Sequence, residues 1–235
     1  MDIIIQDDGI ISPFNIQSSM ETRFTLMPET RDTTEEKEAA DGDIDFGTEL
    51  RTNFFILHGI IEFSTVDERN LIESTLKAQL NECRSPQRIM YECAPGRYTL
   101  VRLTGKPEIT RYVYHIEVRA EFKADPFWSS IEEHSITGSG ILINAGTFET
   151  PLVIEITGPV TNPSVVIGDQ TLTYTGTVPS GQTLVIDTGN QTVKLNGVNA
   201  LDKYNDIFPM LQPGNIDVTA ASGGTTVFKW RDRWL

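Results

Sequence analysis

Histidine and cysteine are the residue types whose spacing most often reveals catalytic or metal-binding chemistry. The three histidines, His58, His115 and His134, are far apart, and none has a Cys, Asp or Glu at metal-ligand spacing. No H-E-x-x-H motif occurs either. Cys83 and Cys93 match neither a zinc pattern nor a disulfide framework, so we expect two semi-buried thiols. The sequence therefore predicts no metal site.

Motifs for nucleophilic and carboxylate catalysis are missing as well. Gly138-Ser139-Gly140 lacks the strand–turn–helix context and the outer glycine spacing of a nucleophile elbow. A glycosidase would need a pair of catalytic carboxylates, and the adjacent acids available are Glu35-Glu36 and Glu132-Glu133. Adjacent acidic residues on loops are usually only solvated. Neither a Walker sequence nor a dinucleotide fingerprint is present. We therefore predict no catalytic residues, no cofactor and no enzymatic activity.

The 235-residue chain is acidic, and its charge is uneven. Its net charge is −14: residues 1–135 hold 14 Lys and Arg against 25 Asp and Glu, and residues 136–235 hold 5 against 8. An acidic chain is unsuited to binding the phosphates of nucleic acid. It would suit the surface of a channel through which nucleic acid passes without binding, although a requirement for solubility explains the negative charge equally well. We expect no membrane insertion and, without a recognisable signal peptide, synthesis in a reducing cytoplasm.

The N-terminal part begins with short apolar runs and continues with a charged segment. Residues 3–26 read as one or two strands joined by Ser12-Pro13. Residues 28–43 have almost no large apolar side chain, so they should form a long loop or arm. Such a segment is either a solvated loop or one that orders only against a neighbouring subunit. We predict a subunit or partner interface at five residues: Glu35, Glu36, Asp41, Asp43 and Trp128.

Residues 52–124 carry the pattern of an α+β domain. Apolar residues on both sides of 52–63 predict a strand buried on both faces. The capping-box sequence 65–68 predicts a helix to about Leu80, with Ile72, Leu76 and Leu80 as its core stripe. Three strands should follow at 88–92, 97–103 and 108–122, the last with apolar and polar residues alternating from Tyr112. These patterns predict one helix packed on a sheet whose other face is wet.

The remainder of the chain has the rhythm of an antiparallel β-sandwich. Between 144 and 214, short β-prone runs recur about every ten residues, separated by turn residues. Gly168-Asp169 predicts a tight hairpin, and Ser180-Gly181, Gly189-Asn190 and Asn196-Gly197 mark further bends. Because 135–140 has the composition of a linker, we predict two domains, 1–135 and 136–235.

The last ten residues are rich in large aromatic side chains. A strand over 226–235 would place Phe228, Trp230 and Trp234 on one side, where they should be pinned into a core or a domain junction. Together with Trp128, the tryptophans would also suit a sugar-stacking platform. Packing in a core or an interface is the favoured interpretation, because each tryptophan lies on or beside a predicted strand.

The C-terminal motifs resemble those of the distal tail protein family of phages with long, flexible, non-contractile tails and of related prophages. The matching segments are Asn144-Ala145-Gly146-Thr147, residues 151–158, 184–187 and 193–197, Phe208 to Gly214, and the ending Lys229 to Leu235. The N-terminal half follows the same plan, with a strand near 56, one helix, paired strands and Asp125-Pro126-Phe127-Trp128 at the domain boundary. The resemblance thus spans nearly the whole chain.

This resemblance implies a mainly β fold: a tail-tube-like ring-forming domain followed by a galectin-like antiparallel β-sandwich. It also implies a homo-hexameric ring at the distal end of the phage tail, between the tail tube protein and the tail-associated or fibre protein. Peripheral receptor-binding or adsorption proteins would dock on it, and DNA would pass through its lumen without specific binding.

Two features depart from the family pattern. The resemblance gives no role for the acidic segment 29–45, and the sandwich lacks the H-x-N-x-R signature of galectins, which argues against galectin-type sugar binding. Two other interpretations stay open: a cell-wall carbohydrate-binding module of a tail-tip receptor-binding protein, and a tail-tube component that forms long polymers instead of closed rings.

Overall fold

The chain folds into two units. The structure, a computed structural model, describes residues 3–7, 10–11, 21–24, 30–36, 43–80, 87–91, 96–205 and 207–235. The first unit comprises Met1–Trp128 with Leu235, and the second comprises Ser129–Trp234. The predicted linker 135–140 lies inside the second unit, where it forms most of one strand and the start of the next.

Within its described residues, the first unit contains ten strands and one helix. In chain order they are β1 (Ile3–Asp7), β2 (Ile10–Ile11), β3 (Glu21–Phe24), β4 (Thr30–Glu36), β5 (Asp43–Leu50), β6 (Asn53–Glu62), α1 (Val66–Gln79), β7 (Gln87–Tyr91), β8 (Arg97–Leu103), β9 (Glu108–Arg111) and β10 (His115–Ala124). The main sheet has the order β2-β1-β7-β8-β10-β6-β3, and β9 pairs with β10. Its ladders are antiparallel.

Helix α1 begins where the capping-box sequence predicts. The Thr65 side chain accepts a hydrogen bond from the Glu68 amide at 3.2 Å, and a Glu68 carboxylate oxygen accepts from the Thr65 amide at 3.1 Å. These reciprocal bonds satisfy backbone donors that have no partner inside the helix. Leu76 and Leu80 of the predicted stripe are buried, and Ile72 packs against the same core.

The core of the first unit lies between α1 and one face of the sheet. Its buried members are Leu57, Leu76, Leu80, Val101, Ile116, Val118, Ala120, Phe122 and Ala124. Strand β10 therefore alternates as predicted, with its even-numbered residues from Ile116 to Ala124 buried. Arg111 of β9 also donates to the buried Glu73 of α1 at 2.5 Å, which ties the helix to the sheet edge.

Strand β6 differs from its prediction because only one of its faces is covered. Leu57 is fully buried, whereas Phe54 is 58% exposed and Ile60 is 41% exposed on the opposite face. Apolar residues on both sides of a strand predict that both of its faces are buried. In the described part of this unit, however, the one helix packs on only one side of the sheet. The face bearing Phe54 and Ile60 is thus an apolar surface open to solvent.

The predicted strand 108–122 is in fact a hairpin. Strands β9 and β10 pair with each other through the turn 112–114, with Arg111 opposite Ile116. Tyr112, Val113 and Tyr114 at its tip are all exposed. Because this turn contains no Gly, Pro, Asn or Asp, the alternation runs through it without a visible break.

The charged segment 28–43 is also more regular than a loop. Its residues 30–36 form β4, which pairs with β5 in a separate two-stranded sheet with an irregularity between Asp32 and Thr34. Because the backbone of a polar segment still needs hydrogen-bond partners, pairing the segment with the strand that follows satisfies it without a core.

The second unit is a β-sandwich with one core. After β11 (Trp128–Ser130) at the unit boundary, its strands are β12 (His134–Thr137), β13 (Gly140–Asn144), β14 (Leu152–Thr157), β15 (Val160–Thr161), β16 (Ser164–Ile167), β17 (Gln170–Thr173), β18 (Thr177–Val178), β19 (Thr183–Asp187), β20 (Thr192–Leu195), β21 (Val198–Asn199), β22 (Gly214–Thr219), β23 (Thr225–Trp230) and β24 (Arg233–Trp234). One sheet has the order β12-β23-β14-β19-β20-β21, the other β13-β22-β16-β17, and β15 pairs with β18. Buried residues of both sheets share one cluster, among them Leu142, Ile154, Val165 and Phe228.

The predicted turns of the sandwich are confirmed, and its last strand is interrupted. Gly168, with φ of 54°, and Asp169 connect β16 to β17. The predicted strand 226–235 instead forms β23 and β24, separated by Arg231 and Asp232. Trp230 is buried, whereas Trp234 is only half-buried. The break occurs where Asp232 turns its carboxylate into the unit.

Two leucines of α1 provide a matched test of the first unit's core. Leu76→Ala should lower the free energy of unfolding by about 2–5 kcal/mol because it removes a fully buried side chain. Leu71→Ala, at a position that is 68% exposed, should change it by less than about 0.5 kcal/mol. Urea unfolding followed by circular dichroism measures both; equal effects would contradict the placement of the helix.

Candidate functional site

The described residues of the predicted interface fall on three different strands. Glu35 and Glu36 end β4, and Asp43 begins β5, with Glu36 directly opposite Asp43 in the register. Asp41 lies outside the described residues. Trp128 begins β11 and is half-buried. The structure thus brings three of the five residues to one end of the β4–β5 hairpin.

A second candidate surface is the solvent-exposed face of the first unit's sheet, which we call the open face. Its apolar residues on β6 stand beside charged residues on β10: Phe54 pairs with Lys123, and Ile60 pairs with Glu117. The described charges on this face nearly balance, with Glu62, Glu108, Glu117 and Glu121 against Arg102, Arg119 and Lys123. A surface with exposed apolar groups and balanced charge is suited to contact with another protein.

Four titratable side chains form a cluster at one end of the open face. His58 Nε2 lies 2.8 Å from Glu117 Oε1, and the Tyr112 hydroxyl donates to Glu117 Oε2 at 3.2 Å. The Tyr112 and His115 rings stack with centroids 4.5 Å apart. The hydrogen bond from His58, followed by that from Tyr112, holds the pKa of Glu117 below its ordinary value. The hydrogen bond to Glu117 raises the pKa of Tyr112.

The second unit contains a buried polar centre around Asp232. This residue is 6% exposed, and its Oδ1 accepts from the Ala145 amide at 3.1 Å while Oδ2 lies 3.0 Å from His134 Nε2. Its amide donates to Ser130 Oγ at 3.1 Å. A buried carboxylate is tolerated because hydrogen bonds replace the water it loses. Asp232 therefore joins three segments that are distant in sequence.

Neighbouring contacts complete this centre. Asn144 Nδ2 donates to the Phe148 and Leu211 carbonyls at 2.9 and 3.2 Å, and Asn144 Oδ1 accepts from the Gly146 amide at 3.0 Å. Trp230 Nε1 donates to the Ile143 carbonyl at 3.0 Å. Trp230 thus acts in packing, as the sequence favours, and its buried ring is not a surface for stacking a sugar.

Sequence spacing could not reveal the two histidine–carboxylate pairs. His58 and Glu117 are 59 residues apart, and His134 and Asp232 are 98 apart. Only the strand register, Arg119 opposite His58, brings the first pair together. Among the described residues, no group of three or more His, Cys, Asp or Glu could hold a metal ion. In the same part of the chain, no helix is long and apolar enough to span a membrane.

Replacing His58 tests the cluster on the open face. His58→Ala should raise the pKa of Glu117 towards its ordinary value, because it removes the main hydrogen bond to the carboxylate. His115→Ala, which removes only the smallest contribution to the lowering of that pKa, should raise the pKa less. NMR titration of the Glu117 carboxyl group measures both pKa shifts. An unchanged Glu117 pKa in His58→Ala would refute the hydrogen bond between His58 and Glu117.

The sign of the corresponding pH effect follows from the lowered pKa. The folded state holds the Glu117 proton less tightly than the unfolded state does, so the interaction stabilises the first unit at neutral pH. That stabilisation is lost as the pH falls through the lowered pKa.

Gly146 tests the tightness of the Asp232 centre. A Cβ at this position would lie 1.9 Å from the Arg233 carbonyl oxygen, so the backbone must move to accommodate it. Gly146→Ala should therefore destabilise the protein by about 3 kcal/mol. Gly181→Ala, at a φ of 77° with open space around it, should cost about 1–2 kcal/mol through backbone strain alone. Equal melting temperatures for the two variants would contradict the close approach.

Comparisons with known proteins agree with this architecture. Residues 145–234 match the family model of the siphovirus-type tail component, C-terminal domain. No curated protein matches the chain. The crystal structure of SPP1 Dit (gp 19.1), a paradigm of the hub adsorption apparatus in phages that infect Gram-positive bacteria, is similar over 100% of both chains, with a TM-score of 0.73 and 14% identity.

Two structures of the phage p2 baseplate in its activated conformation are more distant. The chain matched in the strontium form has a TM-score of 0.50 and the one in the calcium form 0.49, each with 9% identity over 98% of this chain and 97% of theirs. The two ends of the family match, residues 145–150 and 230–234, contribute to the Asp232 centre together with Ser130 and His134, which precede the match. Residues 145–234 are therefore similar to the C-terminal domain of a siphovirus-type tail component, and over its whole length the chain has the mainly β fold of SPP1 Dit.

Proposed function

We propose that this protein is a distal tail hub protein whose six copies close a ring at the tip of a siphophage tail. The observation that carries the proposal is the similarity to SPP1 Dit over 100% of both chains. The family match to a siphovirus-type tail component supports it independently, because that match rests on sequence. The protein would be made in the host cytoplasm and reside at the distal end of the tail.

The first unit would supply the contacts between neighbouring copies. A cyclic ring uses one heterologous contact repeated head to tail, so each copy needs two different complementary surfaces. The β4–β5 hairpin and the open face are two such surfaces. Carboxylate residues occupy directly opposite positions at one end of the hairpin, Glu36 and Asp43, and like charges in that arrangement destabilise an isolated hairpin. Cations of a neighbouring copy would relieve this repulsion, and Trp128 would extend the interface.

The charge distribution supports passage of DNA through the ring without binding. Between residues 29 and 45 the chain has eight Asp and Glu against two Lys and Arg, whereas the described charges of the open face nearly balance. Carboxylates of that segment or of other parts of residues 1–135 would provide the repulsion that keeps phosphates from adhering. An acidic lumen in an imaged ring would support this role, and a basic lumen would refute it.

The remaining surfaces would hold the other components of the tail tip. The ring would stack between the tail tube protein and the tail-associated or fibre protein. The β-sandwich would lie outside and dock peripheral receptor-binding or adsorption proteins. Because the second unit has its own core, it can present such partners without contributing to the lumen.

The test of the ring is the mass and shape of the purified full-length chain. Light scattering should give six times 26.2 kDa, or 157 kDa, or twice that for two rings back to back. Negative-stain images should show closed rings. Long filaments would instead favour a tail-tube component, and a strict monomer at the highest soluble concentration would refute self-assembly of the ring.

A triple variant tests the hairpin carboxylates within the same experiment. Glu35→Gln, Glu36→Gln and Asp43→Asn together should weaken the ring at least ten-fold if these residues face cations of a neighbour. The matched control, Asp169→Asn with Asp202→Asn and Asp217→Asn, changes the same net charge in the second unit and should leave assembly unaffected. Equal assembly of both variants would exclude the hairpin carboxylates from the interface.

A further inference from the structure

The second unit contains an open cleft that the proposed ring does not use. It has a volume of about 670 Å³, within the range of roughly 300–1,000 Å³ typical of ligand pockets. The segment 207–212 lines one part of it, and the β16–β17 turn with Asp169 and Gln170 lines another. Glu149 and Ile216 also contribute to its lining. All of these residues belong to the second unit.

The segment 207–212 is fixed before any ligand arrives. The Leu211 amide donates to the Thr150 carbonyl at 2.8 Å, and the Thr150 amide donates back to Leu211 at 2.9 Å. The Tyr204 hydroxyl donates to the Ile207 carbonyl, and the Tyr204 and Phe208 rings pack with centroids 5.1 Å apart. A lining that is already ordered reduces the entropy lost on binding.

The polar lining combines carboxylates with primary amides. Glu149 and Asp169 only accept hydrogen bonds when ionised, whereas Gln170 and Gln212 both donate and accept. Gln212 Nε2 donates to Glu149 Oε2 at 2.8 Å, which holds these two side chains side by side. Among the described residues that line the cleft, none is Lys, Arg or His. A phosphate or other anion would therefore meet two carboxylates and no cation.

A hydroxyl-rich neutral ligand uses this set of groups fully. Each hydroxyl can donate to a carboxylate and accept from an amide, whereas an ammonium group can only donate and so matches only the acceptors of the cleft. Phe208, Met210 and Ile216 provide apolar surface against which the C–H face of a pyranose ring can pack. We propose that this cleft binds a neutral glycan. The site does not depend on the galectin signature, which this sequence lacks, nor on the ring.

The test uses the purified full-length chain and neutral trisaccharides of β-linked glucose, galactose and N-acetylglucosamine. Saturation-transfer NMR should detect binding of at least one, and calorimetry should give an affinity that is little changed between 0.05 and 0.5 M salt, since a neutral ligand carries no charge to screen. Poly(glycerol phosphate) is the anionic comparison and should not bind.

Two conservative variants assign the binding to the cleft. Asp169→Asn and Gln212→Ala, both at exposed positions, should each weaken the trisaccharide at least ten-fold while circular dichroism stays unchanged. Asp202→Asn is the matched control, because this exposed carboxylate lines a different and smaller cleft of about 430 Å³. The Asp202→Asn variant should bind the trisaccharide with the same affinity as the parent protein.

Three results would overturn the proposal. They are the absence of binding by all three trisaccharides at millimolar concentration, equal weakening in Asp202→Asn, and binding of poly(glycerol phosphate) alone. If the ring assembles while the trisaccharides fail, the glycan site is wrong and the hub function stands. If the trisaccharides bind to a monomer, the hub is wrong and the site stands. Displacement of a bound trisaccharide by a lysine-containing peptide would assign the cleft to a protein partner instead.

Discussion

The buried carboxylate of Asp232 is the interaction on which the second unit most depends. Its oxygens and amide link Ser130, His134 and Ala145, and the adjacent Arg231 carbonyl accepts from Thr150 Oγ1 at 2.6 Å. Removing one partner of a buried charge leaves the charge without compensation, so the contacts must be kept together. This requirement explains why a sequence motif near 145 accompanies one near 232. The close approach of Gly146 to Arg233 leaves the segment no room for a side chain.

The same contacts show how far sequence reasoning reaches. Features that depend on neighbouring residues were predictable: the capping box of Thr65 and Glu68, the alternation of 116–124 and the turn at Gly168-Asp169. The hairpin at 112–114 was not, because its turn residues have no turn preference and the alternation continues across it. The exposure of Phe54 could not be predicted either, since an apolar side chain does not specify which element covers it.

The candidate surfaces also divide into features that the local sequence predicts and features that only the fold reveals. Composition alone identified the acidic segment, but pairing of Glu36 with Asp43 needed the strand register. The His58–Glu117 pair and the cleft at 207–212 combine residues that are far apart in the chain, so no local spacing could suggest them. The Phe208 to Gly214 motif resembles a family motif in sequence. Its structural role is to hydrogen-bond to Thr150 and line the cleft.

The proposed hub function requires a protein that is rigid within each copy yet carries surfaces that favour contact with other proteins. Rigidity here comes from two separate cores, one between a helix and a sheet and the other between two sheets, with the buried carboxylate of Asp232 hydrogen-bonded inside the second unit. Contact surfaces arise where a sheet has only one face covered, and β6 illustrates this with Leu57 buried and Phe54 exposed. A soluble monomer gains nothing from leaving a large aromatic in water, since burying it contributes roughly 1.5–3 kcal/mol. The uncovered face of β6 is thus the feature of the first unit that most favours assembly over a solitary fold.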